Sequence, residues 1–178
     1  MVTGRQSKGG GVERSSYRTK FGSLNGYEKG GVELIADDAR HYAFSNIFEV
    51  ASQSAPWEKV AVGKNMKYVL EAVRAEGVSP WRTAAHDEFA VCFDGEVTVD
   101  LVKLDEPPVG EDSEGSVELS GEPVGRKMGR IRLGRGHQAL LPAGSAYRFT
   151  SRAPGVLLMQ TIAGPDTKFR WADICQIV

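Results

Sequence analysis

Cysteine and histidine are scarce in this 178-residue chain, with two of the first and three of the second. The cysteines, Cys92 in an apolar strand-like run and Cys175 near the C-terminus, read as free thiols in a reducing cytoplasm rather than as a disulfide framework. Long apolar runs are also missing. No stretch of about 18 apolar residues is present to span a bilayer, and no apolar segment with a cleavage site follows the N-terminus. A formal net charge of −1 leaves no field to steer the chain toward nucleic acid or anionic lipid. The partners expected are therefore small molecules and proteins, with no nucleic acid and no membrane. What is present, 41% hydrophobic and 25% charged residues, is ordinary for a globular protein, and the length suffices for one domain with a real core.

Residues 1–20, rich in glycine, serine and basic side chains, have almost nothing to bury and are expected to form a flexible N-terminal arm, mobile unless a partner subunit orders it. Residues 21–178 form the expected domain. Tyr42–Val50 mixes apolar and polar residues in a way that periodicity does not settle between helix and strand. Beyond it, Met66–Val73 and Phe89–Leu104 are strand-like, and Asp94-Gly95 inside the second predicts a two-residue hairpin turn, since primed turns need positive φ. Asp105–Gly129, with five glycines, three prolines and seven acidic residues, reads as a surface loop insertion. Strands resume at Gly129–Leu133, His137–Leu141, Ala146–Thr150 and Val156–Ile162, with Gly134, Gly136, Pro142-Ala143-Gly144 and Pro154-Gly155 between them. Many short strands at this spacing indicate an all-β sandwich or barrel. Asp166–Ile174 is expected to add a helical turn or two that buries Phe169, Trp171 or Ile174.

Two spacings carry chemistry. Glu88 is followed by six residues and Gly95, while Gly136 is followed by five residues, then Pro142-Ala143-Gly144, two residues and Tyr147. These resemble the second half of the first motif, and the whole skeleton of the second, of the cupin family. The fold the resemblance implies is a single cupin-type antiparallel β-barrel (jelly roll) with short helical segments near the termini. Cupins hold a metal with two His and a Glu from the first motif and a His from the second. Counting back from Glu88, the histidine places fall at Trp81 or Arg82 and at Thr83 or Ala84, and the second-motif place falls at Tyr147. Three of the four ligands are absent, and a Tyr of ordinary pKa about 10 is a poor substitute. No metal site of the usual kind is expected in this chain.

Strand alternation puts His86, Glu88, Ala90 and Cys92 on one face, which points into the barrel in the family. The expected barrel-interior residues are His86, Glu88, Cys92, Tyr147 and Phe149. A less favoured alternative is a shifted metal site of His86, Glu88 and His137, although His137 beside Gly136 reads more readily as a turn residue. His41 is read as structural.

The stretches from Phe48 to Cys175, among them AHDEFAVCFDGEV and RGHQALLPAGSAYRF, also resemble the small subunits of two-component hydroquinone 1,2-dioxygenases. The resemblance implies a subunit that supports oxygen-dependent cleavage of hydroquinone to 4-hydroxymuconic semialdehyde. It further implies a large cupin subunit as partner, Fe(II) in that partner, and no cofactor here. Two other readings stand beside it. One is a stand-alone enzyme, using the shifted metal site or using Tyr147, Glu88 and His86 as acid and base. The other is a metal-free barrel binding a small phenol among Tyr147, Phe149, Cys92 and Glu88. Trp57, Trp81, Trp171 and the outward-facing Phe89, Val91 and Phe93 are candidates for a partner-facing surface, with burial in the core the favoured reading for the last three.

Overall fold

The computed structural model describes residues 22–28, 33–38 and 45–170. Tyr42–Val50 resolves at its end into a helix, α1 (Ile47–Ser52), because the Asn46 side chain accepts hydrogen bonds from the Phe48 and Glu49 N–H groups that a helix start leaves free. After it come β1 (Lys59–Asn65), β2 (Tyr68–Val78), β3 (Arg82–Ala84), β4 (Glu88–Asp94), β5 (Glu96–Leu104), β6 (Ser116–Glu118), β7 (Gly125–Gly134), β8 (Gln138–Leu141) and β9 (Ser145–Ile162).

All strand pairs are antiparallel, and they close into two walls that share β9. The C-terminal half of β9 lies between β2 and β4, extending the first wall to β1 on one side and β8 on the other. Its N-terminal half lies between β5 and β3, extending the second wall to β7 and β6. Between the walls Val73, Cys92, Val97, Val99, Leu133 and Leu157 form the main apolar core.

The Asp94-Gly95 turn is not a hairpin. β4 pairs with β8 and β9 whereas β5 pairs with β7 and β9, so the chain crosses from one wall to the other at Gly95. The positive φ expected there is present, at 76°. It turns a corner of the barrel rather than folding two strands together, because each strand finds better partners far away in sequence. β9 bends at the same corner. A Cβ on Gly155 would come 2.6 Å from the Asp94 carbonyl oxygen, so the two crossing backbones touch only because both positions are glycine. Pro154 is accommodated in the same bend, where residues 152–154 have no partner in β2, β4 or β5 and no ladder bond is lost.

Residues 105–129 hold more regular structure than a loop insertion. β6 pairs with β3, and β7 already begins at Gly125, although most of the segment is exposed. After β9 the chain does not form the expected helix within its described part. Lys168 bridges Val60 instead, and Phe169 is exposed. The N-terminal arm 1–20, His41, Trp171, Ile174 and Cys175 lie outside the described residues.

Gly155→Ala is expected to lower stability by about 1–3 kcal/mol through the forced backbone shift, seen as an earlier urea midpoint at unchanged slope. An unchanged midpoint would show that the corner tolerates a Cβ.

Candidate functional site

Register decides which motif positions face inward. Arg82 pairs with Tyr147 and Glu118, and Ala84 with Ser116, so Arg82 and Ala84, not Trp81 and Thr83, take the two first-motif positions on the Tyr147 face. Glu88, Cys92, Tyr147 and Phe149 are all buried on the inner faces. Phe149 stacks on Trp57 with ring centroids 5.9 Å apart and tilts against Tyr147 at 5.4 Å. Both Glu88 carboxylate oxygens and the Tyr147 hydroxyl are buried without a well-formed hydrogen bond. Burial pushes the Tyr147 phenol well above its usual pKa, and the neighbouring Glu88 carboxylate pushes it further, against smaller opposing effects of Ser116 and Arg82. This phenol remains protonated. The Cys92 thiol is likewise raised, first by burial and then by Asp94.

The most polar part of the interior escaped the sequence reading. The Lys59 ammonium donates to Ser116 Oγ at 2.8 Å and lies 3.2 Å from Glu71 Oε2, with both ionic side chains buried. Thr167 Oγ1 donates to Glu71 Oε1 at 2.6 Å and accepts from the Gly164 N–H at 3.0 Å. Glu71 alternates with Val69 and Val73 on the inner face of β2, a pattern that could have flagged it, but Tyr68, Leu70 and Ala72 make an equally apolar opposite face. Nothing in the sequence marks Lys59. Arg82 completes the polar end by pairing with Asp166 and Glu118.

His86 is half-buried between β3 and β4. Its Nε2 accepts from the Ile162 N–H at 3.2 Å and sits 2.9 Å from Thr161 Oγ1, while Nδ1 is buried without a hydrogen-bond partner. The nitrogen that faces β9 is thus taken up by the backbone and side chain there. His137 is exposed, and its Nδ1 accepts from the Gly134 N–H at 3.2 Å, as a turn residue does. Its carbonyl bonds Cys92, four residues along β4 from Glu88, or about 13 Å at strand rise. The fold therefore does not bring His86, Glu88 and His137 together as one ligand set. Among the described residues no group of three or more His, Cys, Asp or Glu could hold a metal ion. The four cupin ligand positions hold a guanidinium, a methyl group, a carboxylate and a protonated phenol, which do not fit a transition metal.

The fold and this interior define the class: a two-walled cupin barrel whose metal end is occupied by ionic and phenolic side chains. No family model and no curated protein matches the chain. Solved structures do. One is a chain of hydroquinone 1,2-dioxygenase PnpCD, solved with Cd2+ and 4-hydroxybenzonitrile, at 56% identity and TM-score 0.87 over 92% of this chain and 99% of that one. Another is a chain of hydroquinone 1,2-dioxygenase from Sphingomonas sp. TTNP3 with 4-hydroxybenzoate bound, at 54% identity and TM-score 0.88 over 91% and 99%. A different chain match, to the Sphingomonas enzyme with 4-nitrophenol, shares the fold alone, at 16% identity and TM-score 0.59 over 78% of this chain and 38% of that one. The chain belongs to the hydroquinone 1,2-dioxygenase family.

Lys59→Met leaves Glu71 buried without its cation and is expected to cost about 3–5 kcal/mol, while Lys59→Met with Glu71→Leu recovers most of that loss. Chemical denaturation of the two variants checks this, and equal instability would mean that the pair does not act as a unit. In a Cys175→Ser background, the raised and buried Cys92 thiol should resist a thiol reagent until the chain unfolds.

Proposed function

We propose that this chain is the small subunit of a two-chain hydroquinone 1,2-dioxygenase, supporting oxygen-dependent cleavage of hydroquinone to 4-hydroxymuconic semialdehyde. Both atoms of O2 enter the ring-opened product. The observation that carries the reading is the identity of more than half over 99% of two chains of that enzyme. Fe(II) belongs to the large cupin subunit in this reading, and the interior described above supports that division. A site filled by the Lys59–Glu71 pair and a protonated Tyr147 supplies neither the ligands nor the open position that a reactive metal needs.

What Glu88, Tyr147 and their neighbours do here is hold a closed and specific barrel interior. His86, tied to Thr161 and Ile162, keeps the loop between β3 and β4 in place against β9. The phenolic substrate meets the complex and not this chain alone. Cytoplasmic location and an N-terminal arm, residues 1–20, that contacts the large subunit belong to the same reading. Among the described residues no helix is long and apolar enough to cross a membrane.

The purified chain, reconstituted with Fe(II), is expected to retain almost no metal and to show no oxygen uptake with hydroquinone. Mixing with the large subunit should produce uptake. Glu88→Gln in the mixture should leave kcat/KM within about threefold, since no reacting group is removed. Stoichiometric iron in this chain with uptake by it alone would overturn the subunit reading.

A further inference from the structure

Buried polar atoms without a partner are few in folded proteins, and here they gather in one place. Among the described residues nine buried side-chain nitrogen and oxygen atoms lack a well-formed hydrogen bond, and five of them belong to the polar end of the barrel. These are both Glu88 carboxylate oxygens, the Tyr147 hydroxyl, His86 Nδ1 and Glu71 Oε2, the last meeting Lys59 only as an ion pair at 3.2 Å. Glu71 and Glu88 are fully enclosed and Tyr147 is 2% exposed, so bulk solvent serves none of these three. An unserved polar atom in such surroundings costs as much as a lost hydrogen bond.

The groups converge from both walls. On the first wall Glu71 and Ala90 both pair with Met159, and Glu88 is the next inner position beyond Ala90. On the second wall Tyr147 pairs with Arg82, and its hydroxyl is close enough to Glu88 and Ser116 for both to act on its ionisation, yet it forms a well-aligned bond with neither. The inner positions next to Arg82 and Tyr147 carry short side chains, since Ala84, Ser116 and Ser145 are all buried there. Short neighbours leave room, and several polar groups lie within reach of it. That is the setting in which proteins hold internal water.

We propose that the polar end of the barrel is an internal water site, in which about two water molecules bridge Glu88, Tyr147 and Ser116. The chemistry of the surroundings selects the occupant. A cation would meet the Lys59 ammonium and the Arg82 guanidinium, and an anion would meet the Glu71 and Glu88 carboxylates. The site needs a ligand that both accepts and donates. Water accepts from the Tyr147 hydroxyl, and from the Ser116 hydroxyl, whose oxygen already accepts from Lys59 at 2.8 Å and whose proton is free to donate. It donates in turn to Glu88. The two oxygens of one carboxylate face different directions, so a single water does not serve both with straight bonds. Such bridges are nearly as favourable as direct hydrogen bonds, which accounts for a carboxylate and a phenol held close without bonding each other. The segment after β9 closes this end from outside, with Thr167 donating to Glu71 at 2.6 Å and Asp166 pairing with Arg82, so exchange with bulk solvent is slow.

High-resolution diffraction from crystals of the unaltered chain is expected to show solvent peaks about 2.6–3.2 Å from the Glu88 carboxylate and the Tyr147 hydroxyl. Oxygen-17 relaxation dispersion of the dissolved chain supplies a second measurement, because it counts waters held long inside a protein. Glu88→Leu combined with Tyr147→Phe should lower that count by about two, while Arg132→Glu at an exposed position leaves it unchanged. Near-UV circular dichroism shows whether the double variant keeps its packing, and if it does not, the diffraction peaks decide alone. A direct Tyr147–Glu88 hydrogen bond with no solvent peak, or an unchanged count in a folded double variant, overturns the proposal. A peak with ligands at about 2.0–2.4 Å marks a metal ion and overturns it as well. Ring-shaped density at the site after soaking with hydroquinone overturns it in favour of a phenol site.

Discussion

The barrel depends on one corner where two strands change walls against each other. β4 passes into β5 at Gly95 and β9 bends at Gly155, and a Cβ on Gly155 would lie 2.6 Å from the Asp94 carbonyl oxygen. Both strands must cross at one place because each pairs with partners on two walls. Without that crossing, β9 could not join β2 and β4 on one wall while joining β3 and β5 on the other. The corner is secured from outside by the Asp94 carboxylate, which accepts from the Leu24 N–H at 2.8 Å and from Arg135 at 2.6 Å. Burial raises its pKa, but those donors together outweigh burial and hold it below the usual range.

The interior that this corner encloses has an apolar end and a polar end, and the polar end holds Arg82, Ala84 and Tyr147, the positions that match cupin ligand places by spacing. A buried ion pair is a costly way to fill such a space, since desolvation offsets much of its attraction. Here each partner is further satisfied, Lys59 by Ser116 and Glu71 by Thr167. Ser116 comes from β6 on the second wall, whereas Lys59 and Glu71 come from the first. The pair therefore ties the two walls together at the polar end.

Much of this was legible in the sequence. The Glu88–Gly95 and Gly136–Tyr147 spacings carried the resemblance to cupins, which implied the barrel, the inward faces and the missing histidines, while alternation put Glu88 and Cys92 on one face because side-chain direction along a strand is a local property with period two. Partner choice is not local. Only the folded chain showed that Asp94-Gly95 turns a corner instead of a hairpin, that Arg82 and Ala84 rather than their neighbours face Tyr147, and that His137 sits far from Glu88. The pairing of Lys59 with Glu71 and the exposure of the outward-facing Phe89 were decided the same way, since contacts between distant strands depend on the packing of both walls at once. Sequence by itself determined which side chains of a strand share a face, and tertiary structure decided which faces lie inside and which residues meet there, because pairing between distant strands depends on the whole fold.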